Sequence, residues 1–406
     1  MADSAASVGT RGPLAAKRAD RSATSGSITA TAAAPSNELL ARYEAFSAEA
    51  IHAPAQSGLW VKHWISRVHP DGILAMLLAN QRPVLALALE VVRLGPFRIA
   101  RFMGGGHANG NFPAVDRNWL ETADPVQIQP LLDAIAEARP DVDVVALQRL
   151  LPDLEGKANP LGQLPGVASP NISLAVDLKG GFNEVLCRIN GRRKSKKHRA
   201  QTRKFEAAGG FRRYEARTPD QVRVLLDAFF DMKEQRFRKM GIANVFSGPE
   251  IRGFFHALFA DALKEKEPPF VLHGLEVAGK LRAVSGSSLS GRRLICEFAA
   301  IAEDELSQHS PGEYLFYENI QEACANALEL YDFSVGDEPY KRNWCNLETQ
   351  HRDVMLPLTH KGRLLVWCLI GRARLTGWVK ARPAIWNLVR RIRRIAGKST
   401  VLTKRG

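Results

Sequence analysis

Six short apolar runs, each closed by a turn, constrain this chain most. The first three cover residues 73–79, 84–93 and 97–102, divided by Asn80-Gln-Arg-Pro83 and Leu94-Gly-Pro96. The second three cover residues 270–277, 280–288 and 293–301, divided by Ala278-Gly279 and Ser290-Gly-Arg292. Runs joined by so few residues pair antiparallel with their neighbours, because a parallel connection needs about a dozen residues or more. Helical patterning surrounds both sets. Val126, Leu131, Leu132, Ile135 and Ala138 share one side, and Val222, Leu225, Leu226, Phe229, Phe230 and Phe237 form a second stripe of helical period. That second stripe begins at Thr218-Pro-Asp-Gln221, a capping-box pattern, and stops at Gly241. Further helices are expected over 38–55, 182–208, 249–264 and 311–328, and strands over 142–148 and 330–335. Helices mixed with antiparallel strands in both halves make the chain α+β.

At 406 residues there is room for two domains. The Pro- and Gly-rich stretch from Pro152 to Pro170 reads as the connection between them. The expected division is a disordered leader over 1–37, an N-terminal domain over 38–165, a C-terminal domain over 166–357 and a basic amphipathic tail over 358–406. The leader is rich in Ala, Ser and Thr and has no apolar segment of signal-peptide type. Net charge is +14, but residues 361–406 hold 13 Lys plus Arg and no acid, so the rest of the chain is nearly neutral. Trp367, Trp378 and Trp386 stand among those cations. The pattern suits peripheral contact with an anionic membrane through 361–406, and equally a C-terminal helix docked on its own protein. No apolar run reaches the length of a membrane span. The five cysteines are scattered without Cys-x-x-Cys, and the ten histidines form no His-Glu-x-x-His pattern. Neither a disulfide framework nor a metal site is expected.

The densest group of titratable residues lies between Tyr331 and Trp344, where Asp332, Asp337, Glu338, Tyr340 and Lys341 crowd together. So many charges can hardly all be buried, so they are expected to line a surface or a cleft. Gly336-Asp-Glu-Pro339 is also the composition of a tight turn. Upstream, Ser310-Pro-Gly-Glu313 combines an N-cap, a proline at the first helical position and a capping-box Glu. Gly312 leaves the first backbone amides open to an anion, although the spacing is equally that of a well-capped helix. Glu297 sits in the apolar run Leu294-Ile-Cys-Glu-Phe-Ala-Ala-Ile301, where burial would raise its pKa as a general base requires. An outward-facing Glu in an alternating strand gives the same pattern. From Arg188 to Lys204 there are nine cations and no acid. The lack of interleaved aromatics argues against nucleic acid and for a solvated face or a patch that receives a phosphate-bearing ligand.

Taken together, Ser310-Pro-Gly312, the helix behind it and Asp332-Phe-Ser-Val-Gly-Asp-Glu-Pro-Tyr-Lys341 with Trp344 resemble the bacterial acetyltransferases known as CelD-like or BioF2-like proteins, of the GNAT superfamily. The resemblance spans about residues 38–357 and takes in Trp60-Val-Lys-His-Trp64 and the Gly104–Gly106 turn. It implies tandem GNAT-like units, each a mixed, mainly antiparallel sheet flanked by helices. It also implies an N-acyltransferase that moves an acyl group, acetyl in the simplest case, from acetyl-CoA or another acyl-CoA to an amine or amino-sugar acceptor. The setting it implies is cell-envelope polysaccharide biosynthesis, in the cytoplasm or at the inner face of the membrane. Acyl-CoA would enter where 293–301 and 330–335 splay apart, with Gln308, Ser310, Pro311 and Gly312 at its pyrophosphate. Glu297 or Asp337 would act as base and Tyr340 as acid, while Asp332, Glu338 and Lys341 would orient the substrates. No metal is implied. Gln308-His-Ser-Pro-Gly312 departs from the superfamily's Gln/Arg-x-x-Gly-x-Gly/Ala loop. The N-terminal unit, with no comparable cradle, is expected to be degenerate. Two other readings stand beside this one: an aminoacyl-tRNA-dependent ligase of the Fem type, which also uses tandem GNAT units, and a non-catalytic scaffold held at a membrane by the tail.

Overall fold

In the computed structural model, which describes residues 27–380 and 382 with backbone alone over 372–380, the apolar runs become neighbouring strands of one sheet. The N-terminal half comprises β1 (Ile28–Ala33), α1 (Asn37–Glu49), α2 (Gly58–Val68), β2 (Gly72–Ala79), β3 (Arg82–Leu94), β4 (Phe97–Phe102), β5 (Ala114–Val115), α3 (Arg117–Thr122), α4 (Gln129–Ala138) and β6 (Val144–Leu150). A small hairpin of β7 (Asp153–Leu154) and β8 (Lys157–Ala158) follows. The C-terminal half comprises β9 (Gly166–Asp177), α5 (Phe182–Arg188), α6 (Gly191–Ala207), β10 (Phe211–Glu215), α7 (Pro219–Met240), α8 (Pro249–Ala262), β11 (Phe270–Val277), β12 (Lys280–Ser290), β13 (Arg293–Ile301), α9 (Pro311–Ala325), β14 (Leu330–Val335), α10 (Pro339–Arg342), β15 (Leu347–Pro357) and α11 (His360–Lys380).

The strand order is β1-β2-β3-β4-β6-β15-β9-β14-β13-β12-β11-β10, with β5 paired to β3. From either edge inward the plan is the same: an edge strand, a helix pair, a three-strand meander, a crossover helix and a strand parallel to the last of the meander. The parallel pairs are β4 with β6 and β13 with β14, and each holds for three residues. The fold is therefore α+β, two GNAT-like units in tandem.

The units are not separable by a cut at residue 165. β15 comes last in the chain, yet it lies between β6 and β9, antiparallel to both. Arg352 faces Leu150 on one side and Ala168 on the other. Close approach at this seam needs Gly166, because a Cβ there would stand 2.5 Å from the Asp353 carbonyl oxygen. The apolar core crosses the seam as well. Trp60 and Trp64 of α2 meet Phe254 of α8 edge-on, with ring centroids 4.9 and 4.8 Å away. His63 reaches Asp261 at 2.9 Å beside them.

Three expectations need correction. The stretch read as a leader contains β1: Ile-Thr-Ala-Thr-Ala-Ala alternates between half-covered and exposed positions and pairs with β2 from Ile28/Ala79 to Ala33/Leu74. The basic helix expected over 182–208 is two helices, broken at Ile189 and restarted by Asn190, whose side chain accepts from the Arg193 amide at 3.3 Å. The Pro152–Pro170 connection is strand from Gly166 onward. The rest of the leader and the tail beyond Arg382, including Trp386, lie outside the described residues. Among the described residues no helix is long and apolar enough to cross a membrane.

Candidate active site

Glu297 owes its position to an irregularity in β13. The register between β12 and β13 jumps from Gly286/Phe298 to Ser287/Cys296, so Glu297 is one residue too many and forms a bulge. The bulge reverses the strand's faces. Leu294 and Cys296 pack in one cluster with Tyr317 and Ile320 of α9, whereas Phe298 and Ala300 pack in another with Phe229 of α7 and Phe255 of α8. Strict alternation would put all four on one side. Just before the bulge, β13 and β14 stop pairing at Ile295/Asp332. Glu297 thus stands where the sheet opens.

Its carboxylate is held on both oxygens. Oε1 accepts from the Ser288 hydroxyl at 2.5 Å, and Oε2 accepts from Asn109 Nδ2 at 2.8 Å. Asn109 also donates to the Glu297 carbonyl at 3.0 Å, so a loop of the N-terminal half closes over the bulge. Burial pushes the pKa up to about 7, against the downward pull of these two hydrogen bonds. Glu297 and Asp332 share a narrow pocket with Trp60, Asn109, Leu151 and Ile295, at the meeting of the two halves. The Trp60 indole N–H is buried there without a partner.

Beyond the bulge a slot of about 470 Å³ opens between α7 and α9. Ala299, Ala300 and Ile301 of β13 form its floor, and Ser307, Ser310, Gly312, Phe316, Glu338, Tyr340 and Trp344 line its walls. A cleft of this size suits a small organic ligand. Ser310 takes a left-handed backbone (φ 54°) and makes no side-chain cap, which corrects the expected capping box. Glu313 does not turn back to its own helix; its carboxylate is gripped by Lys194 (3.0 Å) and Lys197 of α6. Burial raises the Glu313 pKa, but the two lysines outweigh it and hold the carboxyl below its usual range. Gln201 of α6 donates to the carbonyls of His309 (2.6 Å) and Ser310 (3.0 Å). The inner face of the basic helix is therefore pinned to the start of α9. A second cavity, about 170 Å³, adjoins the slot through Glu313 and Asn343 and is lined by Arg193, Lys194 and Lys197. Arg192, Lys196, Arg199 and Arg203 remain on the exposed side.

The crowded segment after β14 divides in two. Tyr340 and Glu338 line the slot. The Tyr340 ring stacks 5.8 Å from Phe316 and the residue stays 45% exposed; partial desolvation in the slot raises the phenol's pKa, so it keeps its proton. Asp337 is exposed and bound to Arg342 at 2.5 Å, away from the slot lining. Asp332 and Lys341 are buried, contrary to the expectation that these charges stay at the surface. Burial raises the Asp332 pKa, with Arg293 at 3.4 Å as its counter-charge. Lys341 is used inside the turn: its Nζ donates to the Val335 carbonyl at 2.9 Å and pairs with Glu338 at 2.9 Å. Gln308 is exposed and outside the slot lining, and Pro311 is buried as the first residue of α9.

Two contributors escaped the sequence reading. Asn109 lies 188 residues from Glu297, and no local pattern joins them. Lys233 was legible, since it falls four residues from both Phe229 and Phe237 on the apolar stripe of α7. It lines the slot near the rings of Phe229, Phe237 and Phe246. Burial lowers its pKa to about 8. Glu215, His273 and Glu322 also converge, toward the C-terminal end of α9, with ligand atoms close enough for a cation. Arg213 and Arg217 already occupy the two carboxylates.

Comparison with known proteins bears on the fold. Residues 192–342 match the family model described as an acetyltransferase (GNAT) domain. Among solved structures the chain is similar to FemX, at 10% identity and a TM-score of 0.54, over 78% of this chain and 96% of that one. It is similar too to a conserved protein of unknown function from Bacteroides thetaiotaomicron VPI-5482, at 12% identity and a TM-score of 0.51, over 78% of this chain and 97% of that one. No curated protein matches. Residues 192–342 are thus similar to a GNAT acetyltransferase domain, and identities this low to solved structures speak for the fold alone.

Proposed function

We propose that this protein is a CelD-like, GNAT-type N-acyltransferase that moves an acyl group, acetyl in the simplest case, from acyl-CoA to an amine or amino-sugar acceptor. The observation that carries the reading is the bulge at Glu297, set between the end of β13–β14 pairing and the slot. The thioester lies along β13 with its pyrophosphate toward Ser310, Gly312 and the lysines of α6, where helix N-terminus and ammonium groups favour an anion. The amine comes from the pocket between the halves, beside Glu297 and Asp332. Glu297 takes the amine proton, nitrogen attacks the thioester carbon, and the carbon–sulfur bond breaks. Tyr340, which stays protonated, serves the leaving thiolate. Holding the two substrates together supplies much of the rate gain. Asp337 is no longer favoured as the base, because Arg342 engages it outside the slot. Lys341 orients the end of β14 rather than a substrate. By resemblance, the acceptor belongs to cell-envelope polysaccharide biosynthesis on the cytoplasmic side.

Thermal unfolding with CoA, acetyl-CoA and longer acyl-CoAs tests this. A ligand at ~100 times its dissociation constant adds ~2.7 kcal/mol of stability. No shift with any thioester removes the reading. The exposed stripe Arg192, Lys196, Arg199 and Arg203 supports a second one, an aminoacyl-tRNA-dependent ligase of the Fem type. Binding of tRNA that weakens steeply with added salt would favour it.

A further inference from the structure

α11 is half docked and half bare. Leu365 and Val366 are buried against Ile99, Val144, Ala146 and Met355, so the helix is seated on the sheet of the N-terminal half. Lys361 fixes its first turn by reaching Asp143 at 3.1 Å. The opposite face carries Leu364 (60% exposed) and Trp367 (76% exposed), with Cys368 exposed beside them. Spacings of three and four residues put these three on one side of the helix. Large apolar groups in water at adjoining positions mark a surface that something covers.

The charge of this region narrows what that is. Residues 361–406 contain 13 Lys plus Arg and no Asp or Glu, whereas the rest of the chain is close to neutral. A second copy of the chain would bring the same positive charge and be repelled. Nucleic acid would satisfy the cations and give Trp367 a base to stack on, but it has no use for Leu364 beside it. A bilayer with anionic headgroups satisfies both, because the stripe enters the acyl boundary while the cations meet phosphates. No described helix is able to cross, so the helix would lie in the plane of the surface.

We infer that α11 rests on an anionic lipid bilayer, with Leu364 and Trp367 inserted at the headgroup boundary. This stands apart from the acyl-transfer reading and survives its failure.

The test uses the full chain in sedimentation with phosphatidylcholine vesicles, with and without phosphatidylglycerol. Binding is expected only to the vesicles that contain phosphatidylglycerol. Replacing Leu364→Ser and Trp367→Ser together, which leaves the charge unchanged, should weaken it about tenfold or more, since two large side chains lose their burial. Both residues are exposed, so the melting temperature should not move. Trp367→Ser alone, with an intermediate loss, guards against a folding defect in the pair. The inference is overturned if the chain ignores phosphatidylglycerol, or if the double variant binds as tightly as the parent, which would leave charge alone responsible.

Discussion

A carboxyl group that titrates near neutrality can take or release a proton at the working pH. Glu297 reaches that range because burial raises its pKa to about 7, and its direct partners are a hydroxyl and an amide rather than a cation. A base works deprotonated, so kcat/KM should rise with pH through about 7 and level off above it. Glu297→Gln should lower kcat by about 10²–10⁴-fold, erase that limb, and leave the CoA-induced thermal shift in place. Retained activity with the limb intact would assign the base elsewhere. Stability carries the same signature with its own sign. The folded state binds the Glu297 proton more tightly than the unfolded chain does, so this contribution is complete below the unfolded pKa and fades as pH rises through about 7. Over that window the parent should lose more stability than Glu297→Gln. That this residue is unusual was legible, because it is the one acid in an apolar run, although an outward-facing Glu gives the same pattern. Its support was not: Ser288 lies across a hairpin, and Asn109 arrives from the other half of the chain. Nor did composition reveal that Asp332 and Lys341 would go inside, since Arg293 and the Val335 carbonyl, which make that tolerable, appear only in three dimensions.

At the level of elements, the bulge depends on a glycine. A Cβ on Gly286 would stand 2.2 Å from the Phe298 ring, the residue that follows Glu297. Gly286→Ala should therefore cost about 1–3 kcal/mol by overpacking, read as a lower melting temperature. It should also lower kcat, because moving Phe298 moves the bulge. Unchanged melting and activity would mean that the ring yields freely and that the bulge is not set here. The meanders were plain in the sequence, since turn chemistry fixes them locally. The start of α9 was read at the right place for partly the wrong reason. Pro311 opens the helix as expected, but Glu313 answers to Lys194 and Lys197 on α6 and not to its own cap. The Arg188–Lys204 run was likewise only half a solvated face, because a charge count does not say which side of a helix meets a neighbour.

Across the whole molecule, one sheet and a shared core should melt as one unit. A single cooperative transition by calorimetry, with equal calorimetric and van't Hoff enthalpies, is the expected result. Residues 27–165 made alone should fail to fold, since β6 then lacks β15 on its open edge. A stable, monomeric 27–165 fragment, or two separate transitions in the full chain, would contradict this. Sequence reading could not anticipate it, because the last strand of one half looks the same wherever it pairs. The crossing of β15 also has a cost in time. About 200 residues separate β6 from β15 in the chain. At ~5–20 residues per second, a ribosome leaves β6 waiting for on the order of 10–40 s. During that interval the strand is an open template within reach of other nascent chains on the same messenger. Exchange of β15 between two copies, each completing the other's sheet, is the assembly error this topology invites.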